Sequence, residues 1–290
     1  MSVPAPAKGT RDFYPEDMAL REFVFSRWKH TCERYGFEGF DAPMFESLSL
    51  YTKKSGDEIE KQLYTFTDKA GRPLALRPEM TPSLARMVAS RGTALKRPVR
   101  WFSVPRLFRY ERMQKGRLRE FFQLNMDILG IDDVLADAEL IAAAIDMMRD
   151  LGFDQSDFSV HISSRTLLEE LLLSAGIGRE IFPAIFGLLD RRHKMDASEY
   201  EGEISSLLPN AEIRERMERI FSAASLSEVA QVVPESSAVT TLTQLFDYLH
   251  SYGMEKFAEF DIGIVRGLAY YTGVVFEIFD KKRSMRAIAG

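Results

Sequence analysis

The chain has 290 residues, 46% hydrophobic and 28% charged, with a formal net charge of −5 and a pI near 5.6. These values describe one large folded domain or two ordinary ones; they exclude a disordered chain, a fibre and a coiled-coil rod, and give no general affinity for nucleic acid. The longest aliphatic run, 140–145, is too short to cross a bilayer, the single Cys32 permits no internal disulfide, and four dispersed histidines give no zinc spacing, so a cytoplasmic protein with no membrane partner and no structural metal is expected.

In chain order, the first element is a helix that begins near Pro15 and ends before Gly36. Proline suits the first turn, Glu16 and Asp17 suit the N-terminal dipole, and glycine suits the C-terminal cap. Leu20, Val24 and Trp28 recur every four residues and are expected to form its buried face. An extended piece over 37–45 follows, where Pro43 predicts an edge or a strand end. Residues 47–62 read as short helices around Gly56. Strands over 64–67 and 74–76 are joined by Asp68-Lys-Ala-Gly-Arg72, a hairpin signal. Thr81 is placed to cap a helix over 82–90 with Pro82 in its first turn. Strands are predicted over 99–104, 106–110 and 120–129, with a long polar loop before the last. A helix over 134–151 carries Leu140, Ile141, Ala144, Ile145, Met148 and Leu151 in one stripe and closes at Gly152. A strand over 158–162 precedes a leucine-rich helical stretch from Thr166 to about Tyr252, broken near Pro234, and strands return over 260–264 and 271–279. Neighbouring strands joined by hairpins predict an α+β architecture, an antiparallel sheet flanked by helices, with the helical stretch inserted or appended. Neither G-x-G-x-x-G after a strand nor G-x-x-x-x-G-K-[ST] occurs, so a Rossmann site and a P-loop are unsupported.

Charge is unevenly spread. Residues 91–119 hold ten Lys or Arg, among them Arg106, Arg109, Arg112, Lys115, Arg117 and Arg119, against one acid, Glu111. A charge run is ordinarily a solvated face. Here the cations alternate with Trp101, Phe102, Phe108, Tyr110, Phe121 and Phe122, the pattern of strands with a basic face that receives a compact anion such as a nucleotide, or a limited contact with RNA. At period two over 120–129, Phe122, Leu124, Met126 and Ile128 face the core, while Phe121, Gln123, Asn125 and Asp127 face the other way. If Arg109 and Glu111 share that second face, they line a trough with Gln123, Asn125 and Asp127. It would suit a ligand with phosphate and amine-type groups, because arginine grips phosphate oxygens in a fork and aspartate accepts from a cation or N–H. Three further segments add polar groups. Arg77-Pro-Glu-Met-Thr81 ends a strand and opens a helix, where Glu79 and Thr81 are also capping-type residues. The glycines of Arg266-Gly-Leu-Ala-Tyr-Tyr-Thr-Gly273 serve a turn or let a ligand approach the backbone. Lys8-Gly-Thr-Arg-Asp12 is a weaker signal.

Together these segments resemble the histidyl-tRNA synthetase family, class II aminoacyl-tRNA synthetases. Lys8-Gly-Thr-Arg-Asp12 with Pro15 is similar to its N-terminal signature. Asp41-Ala-Pro-Met-Phe-Glu46 is similar to its first class motif, with Pro43 at a dimer interface. Phe108-Arg-Tyr-Glu-Arg-Met-Gln-Lys-Gly-Arg117 followed by Arg119-Glu-Phe-Phe-Gln123 is similar to its second motif, and Val265-Arg-Gly-Leu-Ala-Tyr-Tyr-Thr-Gly273 to its histidine-specific peptide. The resemblance implies a class II synthetase-like fold and a homodimer that activates histidine with ATP and passes it to tRNA. It implies catalytic roles for Arg109 and Arg266, which would hold the α-phosphate from two sides. Glu79, Thr81, Gln123, Asp127, Tyr270 and Tyr271 would bind histidine. Arg109, Glu111, Arg117 and Gln123 would bind ATP, with Mg2+ carried on phosphate oxygens. Ala269 stands where many relatives have an acid.

The resemblance also implies a domain order: catalytic core over 1–165, helical insertion over 166–255, and return strands of the core over 256–290. The family continues with a third motif, which carries an ATP-binding arginine, and an anticodon-binding domain. The chain is therefore expected to be C-terminally truncated and weak or inactive on its own. An alternative shares the fold: a non-catalytic relative that serves as regulatory subunit of ATP phosphoribosyltransferase in histidine biosynthesis. Arg266, the Glu79/Thr81 pair and Lys115 with Arg117 favour the enzyme.

Overall fold

A computed structural model describes residues 3–52, 62–112, 116–192, 195–265, 271–282 and 287–290. The chain divides into two units, Met1–Ile131 and Asp132–Gly290.

The first unit opens with α1 (Pro15–Arg34), which has Pro15 in its first turn and Glu16 and Asp17 at the positive end of its dipole. Its inward face is the expected one only in part: Val24 and Trp28 are half-buried, but Leu20 is 67% exposed. The stripe that packs runs through Arg21, Phe25, Trp28 and Cys32. The Arg21 guanidinium lies 4.9 Å from the Phe13 ring centre and 5.0 Å from that of Phe122, and Phe25 stacks on Trp28 and meets Phe122 edge-on. Arginine replaces leucine on this face because a guanidinium lies flat on aromatic rings. Burial pushes the Cys32 thiol up to about 12, which makes it an inert packing group.

Strand β1 (Glu38–Gly39) runs parallel to β5 (Val99–Ser103), which pairs antiparallel with β8 (Asn125–Leu129). A second sheet orders β2 (Phe45–Ser47), β4 (Pro73–Leu76) and β3 (Thr65–Thr67), all antiparallel, and β6 (Arg106–Phe108) pairs with β7 (Glu120–Phe122). The β3–β4 hairpin is closed as its sequence predicts. The Asp68 carboxylate accepts from the Ala70 and Arg72 N–H groups at 2.9 Å each and from Arg72 Nε at 2.6 Å, bonds that hold its carboxyl below the usual carboxylate range. Helix α2 (Leu48–Thr52) follows β2; the remainder of the expected helices around Gly56, 53–61, lies outside the described residues. Thr81 does not cap α3 (Thr81–Arg91) but is its first residue. Met80, without a side-chain acceptor, stands at the cap.

The strand expected over 120–129 is two strands in different sheets. The chain shifts at Gln123, whose N–H donates to the Pro105 carbonyl at 3.4 Å and whose carbonyl accepts from Asn125 Nδ2 at 3.2 Å.

The second unit opens with α4 (Val134–Asp150), capped by the Asp133 carboxylate, which accepts the Leu135 N–H at 2.8 Å. Ala138, Ile141, Ala142, Ala143, Ile145 and Met147 are buried, while Leu140, Ala144, Met148 and Leu151 of the expected stripe are half-buried, so the buried face is shifted from the predicted one. Strand β9 (Phe158–Ser164), buried along its whole length, lies between β10 (Ala258–Phe260), parallel to it, and β11 (Val274–Asp280), antiparallel. Between them run α5 (Arg165–Ser174), α6 (Phe182–Arg191), α7 (Ala197–Leu207), α8 (Ala211–Phe221), α9 (Leu226–Val232) and α10 (Ser237–Ser251). Ser164, Asp196, Asn210, Ser225 and Ser236 cap all of these helices but α6 through their side chains, and Leu167, Leu171, Ile185, Leu188, Leu242 and Leu245 are fully buried.

The α+β class expected from the sequence is the class observed. The parallel pairs β1–β5 and β9–β10 are the additions. Each joins strands separated by a long connection, which is what a parallel pairing requires and what hairpin reasoning does not reveal.

Candidate active site

In the first unit the end of β4 lies against β6. The Arg77 carbonyl accepts the Phe108 N–H at 3.0 Å, and its own N–H donates to the Met44 carbonyl at 3.0 Å. One residue beyond β6, Arg109 donates through Nε to the Pro78 carbonyl at 2.9 Å, and its guanidinium lies 5.2 Å from the Phe121 ring centre. Arg109 is half-buried and has no acidic partner among the described residues. A half-buried cation beside a carbonyl and a ring is a ready receptor for a phosphate oxygen. Pro78 ties it directly to the neighbouring Glu79, so Arg109 and Glu79 are brought together.

Glu111 and Arg117 are also together. Arg117 Nη1 lies 3.4 Å from Glu111 Oε2, and Arg119 Nε donates to the Glu111 carbonyl at 3.2 Å. Such a surface pair holds little free energy and opens readily for a ligand. The Lys8–Asp12 segment, weak as a sequence signal, docks on this loop: the Gly9 carbonyl accepts the N–H groups of Arg119 and Glu120 at 2.9 and 3.2 Å. Only glycine fits there, since φ is +89° and a β-carbon would lie 2.7 Å from Arg119 Cδ.

The expected row is shortened: Asn125 and Asp127, two apart on β8, share a sheet face, but the strand breaks at Gln123, which leaves it. Gln123 is exposed. Asp127 sits in β8 directly opposite Trp101 of β5. It is half-buried, no hydrogen bond or ion pair reaches it among the described residues, and burial alone pushes its carboxyl up to about 6. A carboxylate shifted in this way is a candidate functional group. Glu79 is half-buried, and Thr81, freed from capping, is exposed.

Tyr271 belongs to the second unit, packed on the cluster of Ile264, Val275 and Phe279. Arg266 and Tyr270, with Lys115, lie outside the described residues. Residues missed from the sequence include Arg77, buried at a strand end with no local signal of burial, and a cluster on β9. There His161 Nδ1 donates to Asp261 at 2.8 Å and Nε2 shares a hydrogen bond with the Ser159 hydroxyl at 2.9 Å, while the other Asp261 oxygen accepts the Gly263 N–H at 2.9 Å. The Asp261-x-Gly263 spacing was the available signal, an aspartate bonding two residues ahead. Among the described residues no group of three His, Cys, Asp or Glu side chains is placed to cage a metal ion, and no helix is long and apolar enough to cross a membrane.

The family model described as histidyl-tRNA synthetase matches residues 9–290. The chain belongs to the histidyl-tRNA synthetase family. A histidine–tRNA ligase of Arabidopsis thaliana, chloroplastic/mitochondrial, is 41% identical over 286 residues, covering 98% of this chain and 59% of the relative. That of Opitutus terrae is 40% identical, covering 97% of this chain and 66% of the relative. The chain thus spans about three fifths to two thirds of the length of these histidyl-tRNA synthetase relatives. Two solved structures share the fold. One is a histidyl-tRNA synthetase from Nostoc sp., with TM-score 0.82 and 22% identity, covering 96% of this chain and 65% of that one. The other is an ATP phosphoribosyltransferase regulatory subunit/histidyl-tRNA synthetase from Bacillus halodurans, with TM-score 0.80 and 24% identity, covering 97% and 74%.

Proposed function

We propose that this chain carries the histidine-activating region of a histidine–tRNA ligase, which joins histidine to ATP as histidyl-adenylate, releases pyrophosphate and passes the histidyl group to tRNA. The observation that carries the reading is Arg109, a cation without an acidic partner among the described residues, held by Nε against the carbonyl next to Glu79, in a chain matched by the family over 9–290. The substrate carboxylate is itself the nucleophile, so the protein's task is to place it and to stabilise charge on the α-phosphate. Arg109 supplies positive charge there, the term that usually dominates such catalysis, and the family resemblance gives Arg266 the same role. Glu79 and Thr81 bind the amino group, and Gln123, Asp127, Tyr270 and Tyr271 surround the rest of histidine. A half-buried carboxylate facing an imidazole N–H gives steep selectivity, since an analogue without that donor leaves it unpaired. Glu111 lies near adenine and Arg117 near the outer phosphates once their ion pair opens. Mg2+ travels on the phosphate oxygens.

The reading extends to a cytoplasmic homodimer joined through the segment around Pro43, with the helical stretch 166–255 as an insertion that contacts tRNA. The test is histidine-dependent ATP–pyrophosphate exchange, run on residues 1–290 and on the longest product of the same gene. Exchange in the longer form establishes the ligase. No exchange in either, with histidine still bound, overturns it in favour of the regulatory relative of ATP phosphoribosyltransferase.

A further inference from the structure

We infer that Arg77 is the positioning residue of the histidine pocket, fixing Glu79, Thr81 and Arg109 relative to one another without touching substrate. The inference rests on the reading that Glu79 and Thr81 bind the amino group of histidine. Arg77 is 3% exposed, and a guanidinium so deeply buried persists only if its donors are used. Nη1 donates to Asp41 Oδ1 and to the Ala42 carbonyl, both at 2.6 Å, and Nε donates to the Arg106 carbonyl at 3.0 Å. Its main chain is held on both sides as well, to Met44 and to Phe108. Arg77 thus ties the segment before β2 and the strand β6 to the end of β4, all within the first unit.

What it ties is the proposed pocket. The next residue, Pro78, accepts from Arg109, so residues 78–81 are held by Arg77 at their start and by Arg109 one residue later. Arg77, Pro78 and Met80 are buried, Glu79 is half-buried and Thr81 is exposed, so the clamped side chains leave the two ligand-binding ones outward. Lysine would not replace it. The fork reaches two main-chain carbonyls and a carboxylate in different directions, and a single ammonium on a flexible stem fixes none of those angles.

The test uses the 290-residue chain with Arg77→Met, which fills the apolar volume, and Arg77→Lys, which keeps the charge. Histidine affinity is measured by calorimetry, and amide hydrogen exchange is measured at Phe108, Arg109 and Arg72. Both variants are expected to stay cooperatively folded, to lose about ten-fold or more in histidine affinity, and to exchange faster at Phe108 and Arg109 but not at Arg72 in the distant hairpin. A folded Arg77→Met with unchanged affinity and unchanged exchange at Phe108 overturns the inference. If the parent chain binds no histidine, the functional reading falls, and the exchange pattern alone decides: local loss of protection supports Arg77 as the clamp, and its absence overturns it. If Arg77→Met does not fold, Asp41→Ala removes one exposed acceptor of the same network; faster exchange at Phe108 supports the clamp and none overturns it.

Discussion

At Asp127, stability and the proposed function pull in opposite directions. Its carboxyl titrates near 6 in the folded chain, against about 4 for a free aspartate. Between those values the folded state binds more protons than the unfolded one, so this group's contribution to stability falls as pH rises from 4 to 6 and is least favourable at pH 7. Asp127→Asn is therefore expected to raise the thermal midpoint at pH 7 and to flatten the midpoint's dependence between pH 4 and 7, while weakening histidine binding. A scan series in which the substitution lowers the midpoint at pH 7 would show that the carboxylate is already satisfied. Arg109 calls for the other kind of measurement. Arg109→Ala should lower the turnover of pyrophosphate exchange about 100-fold or more in a form of the protein that carries out exchange, with a smaller change in the histidine KM. Of these groups, Arg109 and Asp127 were named from residue type and alternation, and the alternation holds within β8 but not across the break at Gln123. Arg77 was not, because nothing beside it in the chain reports that Asp41, Ala42 and Arg106 will close around it.

Elements repeat the lesson. The β3–β4 hairpin and α4 follow from chemistry within a few residues: Asp68 folding back on Ala70 and Arg72, Asp133 accepting from Leu135. Asp133→Ala is expected to destabilise the second unit by about 1 kcal/mol in urea unfolding, the usual worth of such a cap. The inward face of α1, the break at Gln123 and the parallel partners of β5 and β9 depend on residues far along the chain, and local periodicity misplaced or missed them. The N-terminal segment sits between these cases. Gly9→Ala places a β-carbon against Arg119 at a left-handed backbone position, which should cost about 1–3 kcal/mol locally. Faster exchange at the Arg119 and Glu120 amides, with the rest of the first unit protected, is the expected result.

For the whole molecule, the chain divides into two compact units, and the helices between β9 and β10 are buried by their own leucines. Deleting 166–255 with a short linker, in the longest product of the gene, is expected to raise the tRNA requirement for histidine transfer while sparing histidine-dependent pyrophosphate exchange. Equal loss of both activities would count against a tRNA role for that stretch. Histidine at a hundred times its Kd should stabilise the protein by about 2.7 kcal/mol through mass action, read as a rise in the unfolding midpoint.

Strand β9 has one further consequence, which lies in the order of synthesis. Its partners enter the chain long after it does: His161 and Asp261, which bond directly, are 100 residues apart, and β11 is complete only at Asp280. At ordinary ribosomal speeds the wait is on the order of ten seconds. Throughout it, seven residues that end fully buried emerge with both edges unpaired, open to any strand that drifts past. A nascent chain stalled before residue 258 would therefore be a sticky intermediate, and the time spent in the helical stretch sets how long that edge stays open.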